Sequence, residues 1–104
     1  MASKSGSEIK NIIVACEAGM GSSVMVAKQL AKQLKNEGVN VTHSPVGQLS
    51  STEHDLVLCH RGLYSGAKAA VPNSLVIPFD MFLGDMNIAK VVGAIKAGEV
   101  ISDE

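Results

Sequence analysis

The sequence predicts an α/β fold: a Rossmann-like, four-stranded parallel sheet in the order 2-1-3-4, with helices on both faces. Three observations carry that prediction. Strand-length apolar runs alternate along the chain with stretches of helical periodicity. Two of those runs, residues 12–15 and 56–59, are apolar without a break, as strands buried on both faces are. The connections are short and punctuated by glycine or proline, which suits right-handed βαβ units.

Residues 1–9 are rich in Ser, Gly and Lys and read as a disordered lead or linker, which leaves residues 10–104 as one domain. The first strand covers residues 10–15. A helix over residues 22–36 follows, with Val24, Ala27, Leu30, Ala31 and Leu34 on one face, Lys28, Lys32 and Lys35 beside it, and Gly38 as its stop. The second strand, residues 39–45, alternates Val39, Val41 and His43 with Asn40, Thr42 and Ser44, the pattern of a half-exposed edge. The third, residues 55–59, is solidly apolar and central. A short helix over residues 63–70 ends before Pro72, and the fourth strand, residues 75–77, is stopped by Pro78. The last helix, residues 85–97, buries Ile88, Val91, Val92 and Ile95, with Asp85 as its N-cap. Central first and third strands with the second at an edge give the order 2-1-3-4. Ligands of such sheets gather at the carboxyl ends of the strands, where strand order reverses. Cys16 ends one of the two strands at that point, and Cys59, His60 and Arg61 end the other.

Composition narrows the function classes. With 104 residues the chain supports one modest core. One Tyr, two Phe and no Trp leave that core to Val, Ile, Leu, Ala and Met. Nine basic against ten acidic residues give a formal charge of −1, with no basic run, so nucleic-acid binding lacks its electrostatic footprint. No apolar stretch approaches the ~20 residues that span a bilayer. Two cysteines make no disulfide framework, and a reducing cytoplasm is expected.

The segment Cys16-Glu17-Ala18-Gly19-Met20-Gly21-Ser22-Ser23 carries the chemistry. It places a thiol after a buried strand and just before a helix, where unpaired N–H groups and the helix dipole favour negative charge. Gly19 and Gly21 let the backbone curl around a bound group with its N–H groups inward, and Ser22 and Ser23 cap the helix or offer hydroxyls to a phosphate oxygen. The thiol should therefore ionise readily and attack a phosphorylated donor. Other phosphate loops differ by single residues. The nucleotide-binding loop needs a lysine that is absent here, and the dinucleotide loop needs a third glycine where Val24 stands. Cysteine phosphatases need an arginine where Ser22 stands, so this loop suits passing a phosphoryl group on rather than hydrolysing it.

The cysteine loop resembles that of the cysteine-type IIB components of bacterial phosphoenolpyruvate-dependent sugar phosphotransferase systems, in the mannitol-like branch. The resemblance extends over residues 11–33, 55–61, Val71-Pro72 and the helix near Asp85. It implies a cytoplasmic phosphotransferase without cofactor or bound metal, peripheral to the membrane. Cys16 would take a phosphoryl group from a IIA phosphohistidine, with residues Glu17 to Ser23 holding the phosphate. It would then deliver the group to a sugar, mannitol or a related hexitol, bound by the membrane component IIC. The 104 residues hold neither a IIA nor a IIC portion, so both are expected as partners.

Other residues stay open on the sequence alone. Cys59, His60 and Arg61 form a second group around the site, or else a strand-end turn with a solvated arginine. Cys16 and Cys59, at adjacent strand ends, are within reach of an oxidative disulfide if their Cβ vectors converge. His43 and His54 read as surface residues. The alternatives to a phosphocarrier are a detached IIB-like regulatory or sensing domain, a cysteine phosphatase and a thiol redox protein.

Overall fold

The computed structural model describes residues 3–16, 21–80 and 86–102, with backbone alone for Cys16 and residues 21–23. Among the described residues six strands and three α-helices follow in order: β1 (Ser3–Ser5), β2 (Asn11–Cys16), α1 (Gly21–Gln33), β3 (Asn40–Pro45), β4 (Leu56–His60), α2 (Tyr64–Ala70), β5 (Val76–Phe79), α3 (Met86–Ala97) and β6 (Val100–Ser102). The main sheet has four parallel strands in the order β3-β2-β4-β5, the order read from the sequence.

Strand alternation divides the core into two layers. Ile12, Val14, Leu56, Leu58, Ile77 and Phe79 face α1 and α3, meeting Val26, Leu30 and Leu34 of the first helical segment and Val91 and Ile95 of the last. On the opposite face Ile13, Ala15, Val57, Cys59 and Val76 meet Ala67 of α2, Val71 and Leu49. The helices therefore cover both faces. Val26 rather than Val24 holds the centre of the α1 contact, a shift of the buried stripe by part of a turn. α1 passes into a 3-10 turn, Lys35–Glu37, and the chain reverses at Gly38 in the left-handed region, φ 69°.

Two features depart from the sequence reading. Pro78 lies inside β5 rather than ending it. Val57 N donates to Leu75 O at 2.9 Å, so alternate residues of β5 turn toward β4 and Pro78 turns its missing N–H to the sheet's open edge, where it breaks no ladder bond. The polar lead is also structured. Ser3–Ser5 pairs antiparallel with Val100–Ser102, and Gly6 N donates to Glu99 O at 2.7 Å. Gly6 is buried so tightly that a Cβ would lie 2.2 Å from Ala94 O. Ile9 is 1% exposed. Glu8 accepts from the Ser5 backbone N–H at 3.0 Å, closing a turn over Gly6–Glu8. The two ends of the chain thus form a clasp, a pairing between distant segments that neither end signals alone. The N-cap expected at Asp85 lies outside the described residues.

At the amino-terminal end of the sheet, one carboxylate joins three segments. Asp55 Oδ2 accepts from the backbone N–H groups of Lys10 and Asn11, each at 2.9 Å, and Oδ1 meets Lys4 Nζ at 3.3 Å. Desolvation works to raise its pKa, but the hydrogen bonds from Lys10, Asn11 and Lys4, with the Lys4 charge, bring it below the usual value. His54 beside it is half-buried, bridging Thr52 O and Ser74 Oγ at 2.7 Å each, and is a structural residue. His43 is exposed.

Candidate functional site

The site is built at the carboxyl end of β2. Cys16 is the last residue of that central strand, in register with Pro45 of β3. The chain re-enters regular structure at Gly21, the first residue of α1, with Ser22 and Ser23 in the first helical turn. This backbone frame presents the amino end of a 13-residue helix close in sequence to Cys16. N–H groups of a first turn have no intrahelical partner, and their dipole favours an anion. Glu17, Ala18, Gly19 and Met20, assigned to phosphate holding from the sequence, lie outside the described residues, as do the side chains of Cys16, Ser22 and Ser23.

The neighbouring strand end has the three residues of the second group, and the structure separates their roles. Cys59 is in register with Ala15 and is wholly buried among Ala67, Val71 and Val76, away from solvent. Burial pushes its thiol pKa up to about 11, which leaves it protonated and unreactive. It is a free cysteine of the core, so neither a part in holding phosphate nor the disulfide considered above suits it.

His60 closes β4 and is half-buried. Its Nδ1 accepts from Gly62 N at 3.2 Å, capping the Arg61–Leu63 turn, and its ring meets Phe79 edge-on with centroids 6.1 Å apart. An accepting Nδ1 puts the ring proton on Nε2 in the neutral form. Arg61 is exposed but held by a partner, and it is aimed away from β2. Its Nε donates to Asp80 Oδ1 at 2.6 Å and Nη2 to Oδ2 at 3.2 Å. Asp80 follows β5, and β5 lies on the side of β4 away from β2. The guanidinium is therefore drawn away from the strand of Cys16. Sequence reading passed over Asp80; an acidic residue just after a strand, level with an arginine just after the neighbouring one, was its only signal.

Arg61 lines a cleft of about 570 Å³ between β5, α3 and β6. Tyr64, Lys90 and Val100 line it too, and Asn87 closes one wall by donating from Nδ2 to Pro78 O at 2.8 Å. Among the described residues no three His, Cys, Asp or Glu side chains cluster as metal ligands would, and no helix is long and apolar enough to cross a membrane.

Comparison with known proteins agrees with this frame. Residues 11–94 match the family described as "PTS system, Lactose/Cellobiose specific IIB subunit". The mannitol-specific EIICB component of Bacillus subtilis (strain 168) is 36% identical over 90 residues, 85% of this chain and 19% of that protein. The mannitol-specific EIICBA component of Escherichia coli (strain K12) is 41% identical over 80 residues, 74% of this chain and 12% of that protein. The chain thus spans a fifth or less of the length of these curated relatives. In fold it is similar to the lactose-specific IIB component domain of the phosphoenolpyruvate:carbohydrate phosphotransferase system from Streptococcus pneumoniae. The TM-score is 0.53 at 15% identity, over 88% of this chain and 91% of that one. With a parallel sheet whose central strand ends in a cysteine before a helix, and a family match over most of its length, the chain belongs to the IIB family of the phosphotransferase system.

Proposed function

We propose that this chain is a phosphoryl carrier that takes a phosphoryl group from a IIA phosphohistidine onto Cys16 and passes it to a sugar at a IIC transporter. The observation that carries the reading is the position of Cys16, at the end of central strand β2 and just ahead of the amino end of α1. The names of the relatives, mannitol-specific components joining IIC and IIB portions, support mannitol or a related hexitol as the sugar. They also support a place beside the membrane, held through the IIC partner.

In the first step the Cys16 thiolate attacks phosphorus as the P–N bond breaks. The bonding pair returns to the donor imidazole, which picks up a proton, and an S–P bond forms. In the second step a sugar hydroxyl attacks phosphorus, the S–P bond breaks, and the thiolate leaves while a base takes the hydroxyl proton. In both steps the thiolate is the stable partner that the helix amino end favours. Residues Glu17 to Ser23 would hold the phosphate mainly through backbone N–H groups. Ser22 stands where a cysteine phosphatase has its arginine, which favours transfer over hydrolysis. A detached IIB-like sensing domain would share the same chemistry and differ in lacking the delivery step.

Intact-mass analysis tests the reading. The chain is incubated with phosphoenolpyruvate, the two general phosphotransferase proteins and a mannitol-type IIA. The expected product carries one phosphoryl group, lost on adding IIC membranes with mannitol. Cys16→Ser should stay folded and unlabelled. Labelling of Cys16→Ala at a histidine would overturn the assignment.

A further inference from the structure

We propose that His60 donates a hydrogen bond from Nε2 to the phosphoryl group while Cys16 carries it, an inference that rests on the carrier role proposed above. The register of the sheet makes the two residues neighbours. Ala15 of β2 and Cys59 of β4 are partners, so Cys16 and His60, the next residue on each strand, stand level at the carboxyl end of the sheet. Neighbouring strands run ~4.8 Å apart. Ala15 and Cys59 both belong to the α2 face, and alternation therefore places Cys16 and His60 together on the face of α1 and α3.

Two contacts fix the imidazole on that face. From the turn beyond β4, Gly62 N donates to Nδ1 at 3.2 Å. From β5, on the side away from β2, Phe79 meets the ring edge-on with centroids 6.1 Å apart. Phe79, His60 and Cys16 thus follow one another across β5, β4 and β2. The Gly62 contact decides the chemistry. A nitrogen that accepts carries no proton, so the neutral ring has its proton on Nε2, and that atom is a donor. Charge spreads over the phosphoryl oxygens during transfer, and donors already oriented by the fold stabilise it. His60 is half-buried, which weakens the competition from water. It keeps its proton throughout and adds one N–H to the backbone N–H groups that hold the phosphate.

The two ring nitrogens have separate duties, and two substitutions separate them. An asparagine amide reaches the place of Nδ1, and a glutamine amide that of Nε2. The test is steady-state transfer from a loaded mannitol-type IIA to the full chain, comparing wild type, His60→Asn and His60→Gln. His60→Asn keeps an acceptor for Gly62 N and loses the donor, so kcat should fall about thirtyfold while KM for IIA and the unfolding midpoint are kept. His60→Gln keeps a donor and loses the acceptor, so kcat should stay near the wild-type value. A normal His60→Asn with a slow His60→Gln would confine His60 to the turn and reject the inference. Wild-type rates in both variants would also reject it, and so would an equal loss in both, which would assign the ring to packing on Phe79. A second measurement needs no variant. In NMR spectra of the wild type, the His60 Nε2 proton should move downfield when Cys16 is phosphorylated, and an unmoved resonance overturns the proposal. All of these rejections leave the carrier role standing. Failure of wild type to accept any phosphoryl group would remove the carrier role itself, and the part of His60 with it.

Discussion

Arg61 and Asp80 stand one residue beyond the ends of neighbouring strands and meet through two hydrogen bonds, Nε to Oδ1 at 2.6 Å and Nη2 to Oδ2 at 3.2 Å. Their side chains are 57% and 58% exposed, so the pair adds little to stability, at most about 1 kcal/mol. Its consequence is directional. Since β4 separates β5 from β2, the ion pair keeps the guanidinium on the far side of β4 from Cys16. The sequence left Arg61 open between a phosphate partner and a solvated residue; the geometry gives it a fixed partner instead.

Transfer rates should reflect that. Arg61→Ala is expected to leave transfer from IIA close to wild type, because Asp80 holds the guanidinium on the side of β4 away from Cys16. Gly19→Val or Gly21→Val should abolish transfer, since a β-branched side chain obstructs the backbone curl that would hold phosphate. Ser22→Ala and Ser23→Ala should each lose roughly 1–3 kcal/mol of hydrogen bonding to charge. Loss of kcat in Arg61→Ala with active glycine variants would replace the backbone cradle by an arginine clamp.

Cys59 should be silent in thiol chemistry. With its thiol buried and its pKa pushed up to about 11, a native chain treated with a thiol reagent near pH 8 should react at Cys16 alone, and an unfolded chain at both cysteines. Diamide should yield no Cys16–Cys59 disulfide. Cys59→Ser is expected to cost about 1–3 kcal/mol by burying a hydroxyl, and Cys59→Ala less. Peptide mapping by mass spectrometry and denaturant melts read both outcomes.

The terminal clasp should respond to one methyl group. Gly6→Ala places a Cβ against the Ala94 carbonyl, 2.2 Å away in the unrelaxed backbone, so β1 or α3 must shift. The expected loss is about 1–3 kcal/mol, typical of overpacking. Hydrogen exchange should quicken in Ser3–Ser5 and Val100–Ser102 and stay unchanged in β2 and β4. Equal protection in both proteins would mean that the clasp tolerates the group.

Asp55 makes stability fall in acid. Its folded pKa lies below the usual carboxylate value that the unfolded chain keeps, so the unfolded chain takes up the proton first. Its contribution is complete above the unfolded value and is lost as pH falls from there through the folded value. Asp55→Asn should flatten the pH dependence of unfolding free energy below about pH 5. It should also lower stability at pH 7 by roughly 1–3 kcal/mol, because a neutral amide accepts the Lys10 and Asn11 N–H groups less strongly. An unchanged acid slope would remove Asp55 as its source.

What the sequence determined by itself is local and periodic. Unbroken apolar runs mark β2 and β4 as central, alternation marks β3 as an edge, and Gly38 marks the turn that follows α1. Short connections of one handedness then leave little choice of strand order. The cysteine segment was legible for the same reason, since strand, glycines and helix are contiguous and their chemistry follows from spacing. Tertiary structure decided whatever depends on groups distant in sequence. Ser3–Ser5 is too short and polar to read as a strand until Val100–Ser102 lies beside it. Pro78 is tolerated within β5 only because its nitrogen turns away from β4, so the ladder between those strands needs no N–H from it. Cys59 and Arg61 stand two apart at one strand end, yet packing sends the first into the core and an ion pair turns the second toward Asp80. Periodicity specifies which face a residue takes, but the partner it finds there is set by chain segments that meet only on folding.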